Sequence, residues 1–115
     1  MKRSRKKYRF PRFARLILGQ YNAWLVGGAA DPKNKDPRDF DIVVEWEDWR
    51  HVAMLIPKDA KIGLFGCFKV ISDGKVVDIW PGTLSEAIQS AKCKFASNPF
   101  KGILIEKNIT GKGST

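Results

Sequence analysis

The stretch Trp24–Trp46, WLVGGAADPKNKDPRDFDIVVEW, constrains the fold more than any other part of the chain. An apolar segment (Trp24, Leu25, Val26) leads through a glycine pair (Gly27, Gly28) and a polar, proline-containing loop into a second apolar segment opened by Asp39 and Asp41. Short apolar segments bounded by Gly and Pro read as buried strands. Like charges entering a buried strand are unfavourable unless a cation or a donor sits between them. A solvated strand start would be an adequate reading of Asp-x-Asp alone. The glycine pair and a third acid, Asp78, shift the reading toward a site.

The flanks supply the rest of a small α+β domain. At 115 residues, 43% of them hydrophobic, the chain suits one domain with a modest core. Pro11 opens a helix whose apolar face carries Phe13, Leu16, Ile17 and Tyr21, ending between Gly19 and Asn22. Ala23–Val26 is a strand, 27–38 a turn and loop, and Phe40–Trp46 a second strand. Asp48 caps a helix that turns Val52, Leu55 and Ile56 inward and stops at Pro57. Period two then returns in Phe65–Ile71 and Lys75–Trp80, joined at Ser72-Asp73-Gly74 as a hairpin. In its second strand Val76, Asp78 and Trp80 share one face, Val77 and Ile79 the other. Pro81-Gly82-Thr83 breaks that strand, and Thr83 or Ser85 caps a helix to about Lys92. Ile103–Ile105 reads as a last edge strand. The fold expected is a small mixed sheet packed against helices.

Charge is unevenly placed. The net charge is +9, yet Lys2, Arg3, Arg5, Lys6, Lys7, Arg9, Arg12 and Arg15 precede any acid, leaving thirteen bases against twelve acids in the remainder. The division expected is a basic arm over 1–10, interleaved with Tyr8 and Phe10, a domain over 11–107 and a flexible tail over 108–115. Such an arm suits a polyanion, or serves as a solubilising tail. No apolar run reaches the roughly 18 residues of a membrane helix, and the N-terminus lacks a signal peptide's apolar segment. A soluble, cytoplasmic protein is expected, in a host's cytoplasm if phage-encoded. Cys67 and Cys93 show neither zinc nor disulfide spacing and read as buried thiols. His51, the single histidine, reads as a helix-surface residue.

The acids suggest a chemistry. Asp39 and Asp41 project from one strand face with Cα atoms about 7 Å apart, and Asp78 on a facing strand would complete an oxygen cage. Hard oxygen ligands without His or Cys suit Mg²⁺ or Mn²⁺. Two such ions about 4 Å apart stabilise the entering and leaving oxygens of an in-line phosphoryl displacement. Gly27 and Gly28 let backbone N–H groups approach a triphosphate unobstructed. Arg38 and Lys35 precede Asp39 and are placed to reach a phosphate, with a solvated loop as the equal alternative. Trp80 shares Asp78's face and is placed to stack under a base, a contact worth about 1–3 kcal/mol.

This ordered set resembles the DNA polymerase β nucleotidyltransferase superfamily. LVGGAADPKNKDPRDFDIVV is most similar to the head domain of CCA-adding enzymes and bacterial poly(A) polymerases, and FGCFKVISDGKVVDIW to their following hairpin; the likeness spans roughly residues 20–90. It implies the polymerase β palm-like fold, metal binding and catalysis at Asp39, Asp41 and Asp78, and triphosphate binding at Gly27 and Gly28. It also implies an NTP substrate, two Mg²⁺ or Mn²⁺ ions, and an acceptor hydroxyl on RNA, in preference to DNA, such as a tRNA 3′ end.

The departures bear on function. Those enzymes carry an Arg-Asp soon after the glycine pair, whereas Ala29-Ala30-Asp31-Pro32 follows here. Helical neck and body domains have no counterpart in this sequence, which implies a minimal transferase of the kind found in some phages and antitoxin systems. Two other readings stay open: a catalytically degenerate nucleic-acid-binding domain, and an antitoxin-type transferase that modifies a protein.

Overall fold

The computed structural model describes residues 10–63, 66–90 and 94–106. The arm short of Phe10, the tail, Phe65, Lys92 and Cys93 lie outside the described residues.

Among the described residues seven strands form one mixed sheet: β1 (Ala23–Val26), β2 (Asp39–Glu45), β3 (Lys61–Ile62), β4 (Phe68–Ser72), β5 (Lys75–Gly82), β6 (Phe95–Asn98) and β7 (Ile103–Glu106). Their order across the sheet is β3-β4-β5-β2-β1-β6-β7. Only β2 and β5 pair in parallel; every other neighbouring pair is antiparallel. The short strands β3 and β6 were not expected from sequence.

One sheet face is covered by helices α1 (Arg12–Gln20) and α2 (Trp46–Ala53). The main core forms there, from Ala14, Ile17 and Leu18 of α1, Val52 of α2, and the alternating strand residues Leu25, Phe40, Ile42, Val44, Val77 and Ile79. Pro11 is the extended residue before α1 rather than its first turn, and the buried stripe is Ala14, Ile17, Leu18, with Phe13 and Leu16 on its flank. Helix α2 starts at Trp46, with Glu45 in the cap position, three residues earlier than expected. Asp48 therefore lies in its first turn, accepting from the Asn22 N–H at 2.7 Å instead of capping, and Leu55 beyond the helix end is exposed.

The opposite face carries a smaller cluster, Val26, Val43, Ala87 and Ala96 with Trp24, Trp80 and Leu84, beneath helix α3 (Leu84–Ser90). Thr83 and Glu86 begin α3 with a reciprocal capping box: the Glu86 N–H donates to Thr83 Oγ1 at 3.0 Å, and the Thr83 N–H donates to Glu86 Oε1 at 3.1 Å. Pro81 and Gly82 do not end β5, because its pairing with β2 continues to Val44↔Pro81 and Glu45↔Gly82. Pairing with β4 stops at Ile79, leaving an open edge where a proline is tolerated. Asp73 (φ 53°) and Gly74 (φ 78°) form a two-residue hairpin turn with both residues left-handed, the geometry Asp-Gly favours.

No helix among the described residues is long and apolar enough to cross a membrane.

Asn98 ties the sheet to α1. It is 1% exposed, and its Nδ2 donates to Leu18 O at 2.8 Å and Ala23 O at 3.0 Å while Oδ1 accepts from the Phe100 N–H at 3.1 Å. Asn98→Ala strands these groups and is expected to lower stability by about 2–4 kcal/mol in urea unfolding, since each orphaned buried polar group costs about 1–3. A loss under ~1 kcal/mol would show that water replaces the amide.

Candidate active site

Register, more than chain proximity, builds the site. A single row of paired residues crosses all seven strands: Lys61, Lys69, Asp78, Asp41, Val26, Ala96, Ile105. Asp41 and Asp78 are direct neighbours on the parallel β2–β5 pair. Asp39 lies two residues before Asp41 on the same face, paired with Val76, and is exposed. Helix α3 packs over β1, β2 and β6, above the adjoining Trp24–Val43–Trp80 positions.

The glycine turn abuts these acids. After Val26 the backbone forms a 3₁₀ turn, Gly27–Ala30, with Gly27 at φ 77°. A Cβ built on Gly27 would lie 2.9 Å from Asp41 Oδ2, so both φ and space demand glycine there. Asn34 Nδ2 donates to Gly28 O at 3.1 Å and pins the turn to the loop, where Asp31 Oδ1 accepts from the Lys33 N–H at 2.9 Å.

Burial first, and then the Asp78 carboxylate beside it, push the Asp41 carboxyl up from 3.8 to about 6; Asp39 adds to the rise and Lys69 opposes it. Lys69 Nζ donates to Asp78 Oδ1 at 2.9 Å, and that contact raises the lysine's own pKa. The Cys67 thiol lies 4.0 Å from the same oxygen. It is half-buried rather than buried, and desolvation, then Asp78, raise its pKa, so it is not an activated thiolate.

Of the residues singled out from sequence, Asp41, Asp78, Gly27 and Gly28 come together, with Asp39 at the rim. Arg38 and Lys35 are exposed in the loop, and the Arg38 carbonyl accepts from the Val76 N–H at 3.2 Å. Trp80 is half-buried among Val26, Val43, Ala87 and Leu84, which gives it a packing role. Trp24 donates from Nε1 to Glu45 Oε2 at 3.0 Å, Trp49 stacks on Phe68, and Trp46 and His51 are exposed. Lys69 and Asn34 were not anticipated from sequence.

The donor set suits a hard cation. Asp41 and Asp78 are direct neighbours across β2 and β5, both half-buried, and the space against Asp41 is kept clear by glycine. As they stand, no three His, Cys, Asp or Glu side chains among the described residues gather closely enough to hold an ion, and the Lys69 ammonium rests on Asp78.

Compared with known proteins, the chain matches no protein-family model, and neither a curated protein nor a solved structure shows significant similarity to it.

The raised Asp41 carboxyl has a stability consequence. A carboxyl whose folded pKa of about 6 lies above its unfolded 3.8 favours the fold while protonated; that contribution is complete below about pH 4 and is lost as pH rises through about 6. Asp41→Asn removes the loss. It is expected to be more stable than wild type at pH 7.5, by about 1–2 kcal/mol after allowing for solvent at the open side, and equal to it near pH 4. Urea melts across that range check the sign; a variant weaker than wild type at pH 7.5 would contradict it.

Proposed function

We propose that this protein is a divalent-metal-dependent nucleotidyltransferase that moves a nucleoside monophosphate from an NTP to a hydroxyl on RNA, such as a tRNA 3′ end. The observation that carries the reading is the side-by-side Asp41–Asp78 pair with the Gly27 backbone held against Asp41. It agrees with the polymerase β-like order of glycine pair, Asp-x-Asp and third acid.

In this reading Asp41 and Asp78, with Asp39 at the rim, hold Mg²⁺ or Mn²⁺. The ions supply Lewis-acid stabilisation of the charge that develops on the phosphoryl oxygens. Gly27 and Gly28 present backbone N–H groups to the triphosphate. Asp78 accepts the proton of the attacking hydroxyl, whose oxygen bonds to the α-phosphorus as the bond to pyrophosphate breaks. Arg38, exposed in the loop just before Asp39, would supply a cation to the phosphates.

Asp41→Asn and Asp78→Asn are each expected to lower transfer from labelled NTP to tRNA by 10² or more while circular dichroism stays native. Wild-type protein that transfers nothing to tRNA, DNA or protein with any NTP would end the enzymatic reading. The Lys69–Asp78 contact favours a second reading in that event, a catalytically silent nucleic-acid-binding domain whose acid site is closed by its own lysine.

Phe10, the first described residue, packs on Phe40 on the helix-covered face of the sheet, with ring centroids 5.4 Å apart. Deleting residues 1–9, which carry six bases, is expected to weaken RNA binding and flatten its salt dependence by up to about 5 in the slope of log K against log salt. An unchanged affinity would make the arm a solubility or protein-docking element.

A further inference from the structure

The acid site contains a positive charge that the transfer chemistry does not use. Lys69 faces Asp78 across the β4–β5 pair, two positions from Asp41 in the same cross-sheet row, and its ammonium lies 2.9 Å from Asp78 Oδ1. The two partners differ in freedom: the Asp78 side chain is 13% exposed, the Lys69 side chain 43%. The contact therefore opens by movement of the lysine. Space for that movement adjoins it, a cavity of about 370 Å³ whose lining includes Lys69, Lys61 and the acids Asp39 and Asp59. The lysine stem also passes close to β3's end, where a Cβ on Gly63 would lie 2.7 Å from Lys69 Cε.

Charge shows what the lysine does. Asp41 and Asp78 side by side, with Asp39 two residues away on the same face, repel one another when ionised. One ammonium relieves part of that repulsion, but it claims an oxygen that a divalent ion needs. A divalent ion brings twice the charge to the same carboxylates and can bind several at once.

Resting on the metal-dependent reading above, we infer that Lys69 is a removable internal counter-ion: it holds Asp78 in the metal-free protein and swings into the adjoining cavity when a divalent cation takes that carboxylate. Lys69 is thus a positioning residue that sets the affinity for metal and keeps the empty acid cluster folded.

The test is Mn²⁺ binding, followed by electron paramagnetic resonance without nucleotide, for wild type and Lys69→Met, which keeps the stem and removes the charge. Lys69→Met is expected to bind Mn²⁺ about tenfold more tightly, the scale of removing one unit charge a few ångströms from the ion in a partly screened cleft. Its melting temperature without metal should fall below wild type, and Mn²⁺ should restore it. Should the variant not fold, amine acetylation of wild type read by mass spectrometry gives the answer: Lys69 is expected to become more reactive when Mn²⁺ is added. Unchanged or weaker Mn²⁺ affinity in folded Lys69→Met, or unchanged Lys69 reactivity, overturns the inference; wild-type transfer activity would still stand. Mn²⁺ binding by Lys69→Met alone overturns it, since the lysine would then be a fixed block that metal does not displace. Absence of binding in both proteins overturns both.

Discussion

Parallel pairing of β2 with β5 is the constraint on which the candidate site depends. It joins strands separated by α2, β3 and β4, and so carries the entropic cost of closing a long loop. Phe40, Ile42 and Val44 on one strand and Val77 and Ile79 on the other, all fully buried, provide the compensation. At about 1.5–3 kcal/mol per side chain they contribute roughly 10 kcal/mol, well above the 1–2 lost to a raised carboxyl. Because side chains alternate, the register that buries those five also sets Asp41 beside Asp78 on the other face. The acids cannot separate without exposing the core behind them.

Helix placement decides how much water the acids keep. Glu45 lies at the end of β2 remote from Asp39, and its Oε2 accepts from Trp24 Nε1 at 3.0 Å and from the Leu84 N–H at 3.3 Å. With the Thr83–Glu86 capping box, this fixes the start of α3 near Trp24, Val43 and Trp80 and away from the Asp41–Asp78 row. A carboxylate pair under a helix would be driven to neutrality by desolvation. Outside the footprint of α3 Asp41 rises to about 6, so at neutral pH it is mostly ionised.

Much of this was legible in the sequence. The apolar run Ala23–Val26 has the bounds expected, and the alternation Val76 to Trp80 assigns each residue to the correct face, because period two depends only on local pleating. Lys69 escaped notice through one residue of turn length. Reading Ser72-Asp73-Gly74 as the whole turn places Phe68 opposite Asp78 and turns Lys69 to the other face. The left-handed Asp73 and Gly74 instead make a two-residue turn that pairs Ser72 with Lys75, which brings Lys69 opposite Asp78. Strand β6 was not legible for a different reason: Phe95–Asn98 carries Ser97 and Asn98, polar residues whose burial depends on distant partners such as Leu18 and Ala23.

The kind of cation at position 69 matters as much as its presence. An arginine there would offer a planar fork able to bridge Asp41 and Asp78 together, a strong and directional arrangement that closes the site to metal. Lysine offers one strongly hydrated point charge on a flexible stem, and here it touches a single oxygen. Exposed pairs of that kind are worth about 0–1 kcal/mol, and the partial burial of Asp78 raises the value without making it prohibitive. The contact is therefore strong enough to moderate repulsion among the acids and weak enough to yield to a doubly charged ion. Lys61, next in the row and exposed, lines the same cavity as Lys69, where the acids Asp39 and Asp59 offset the two positive charges.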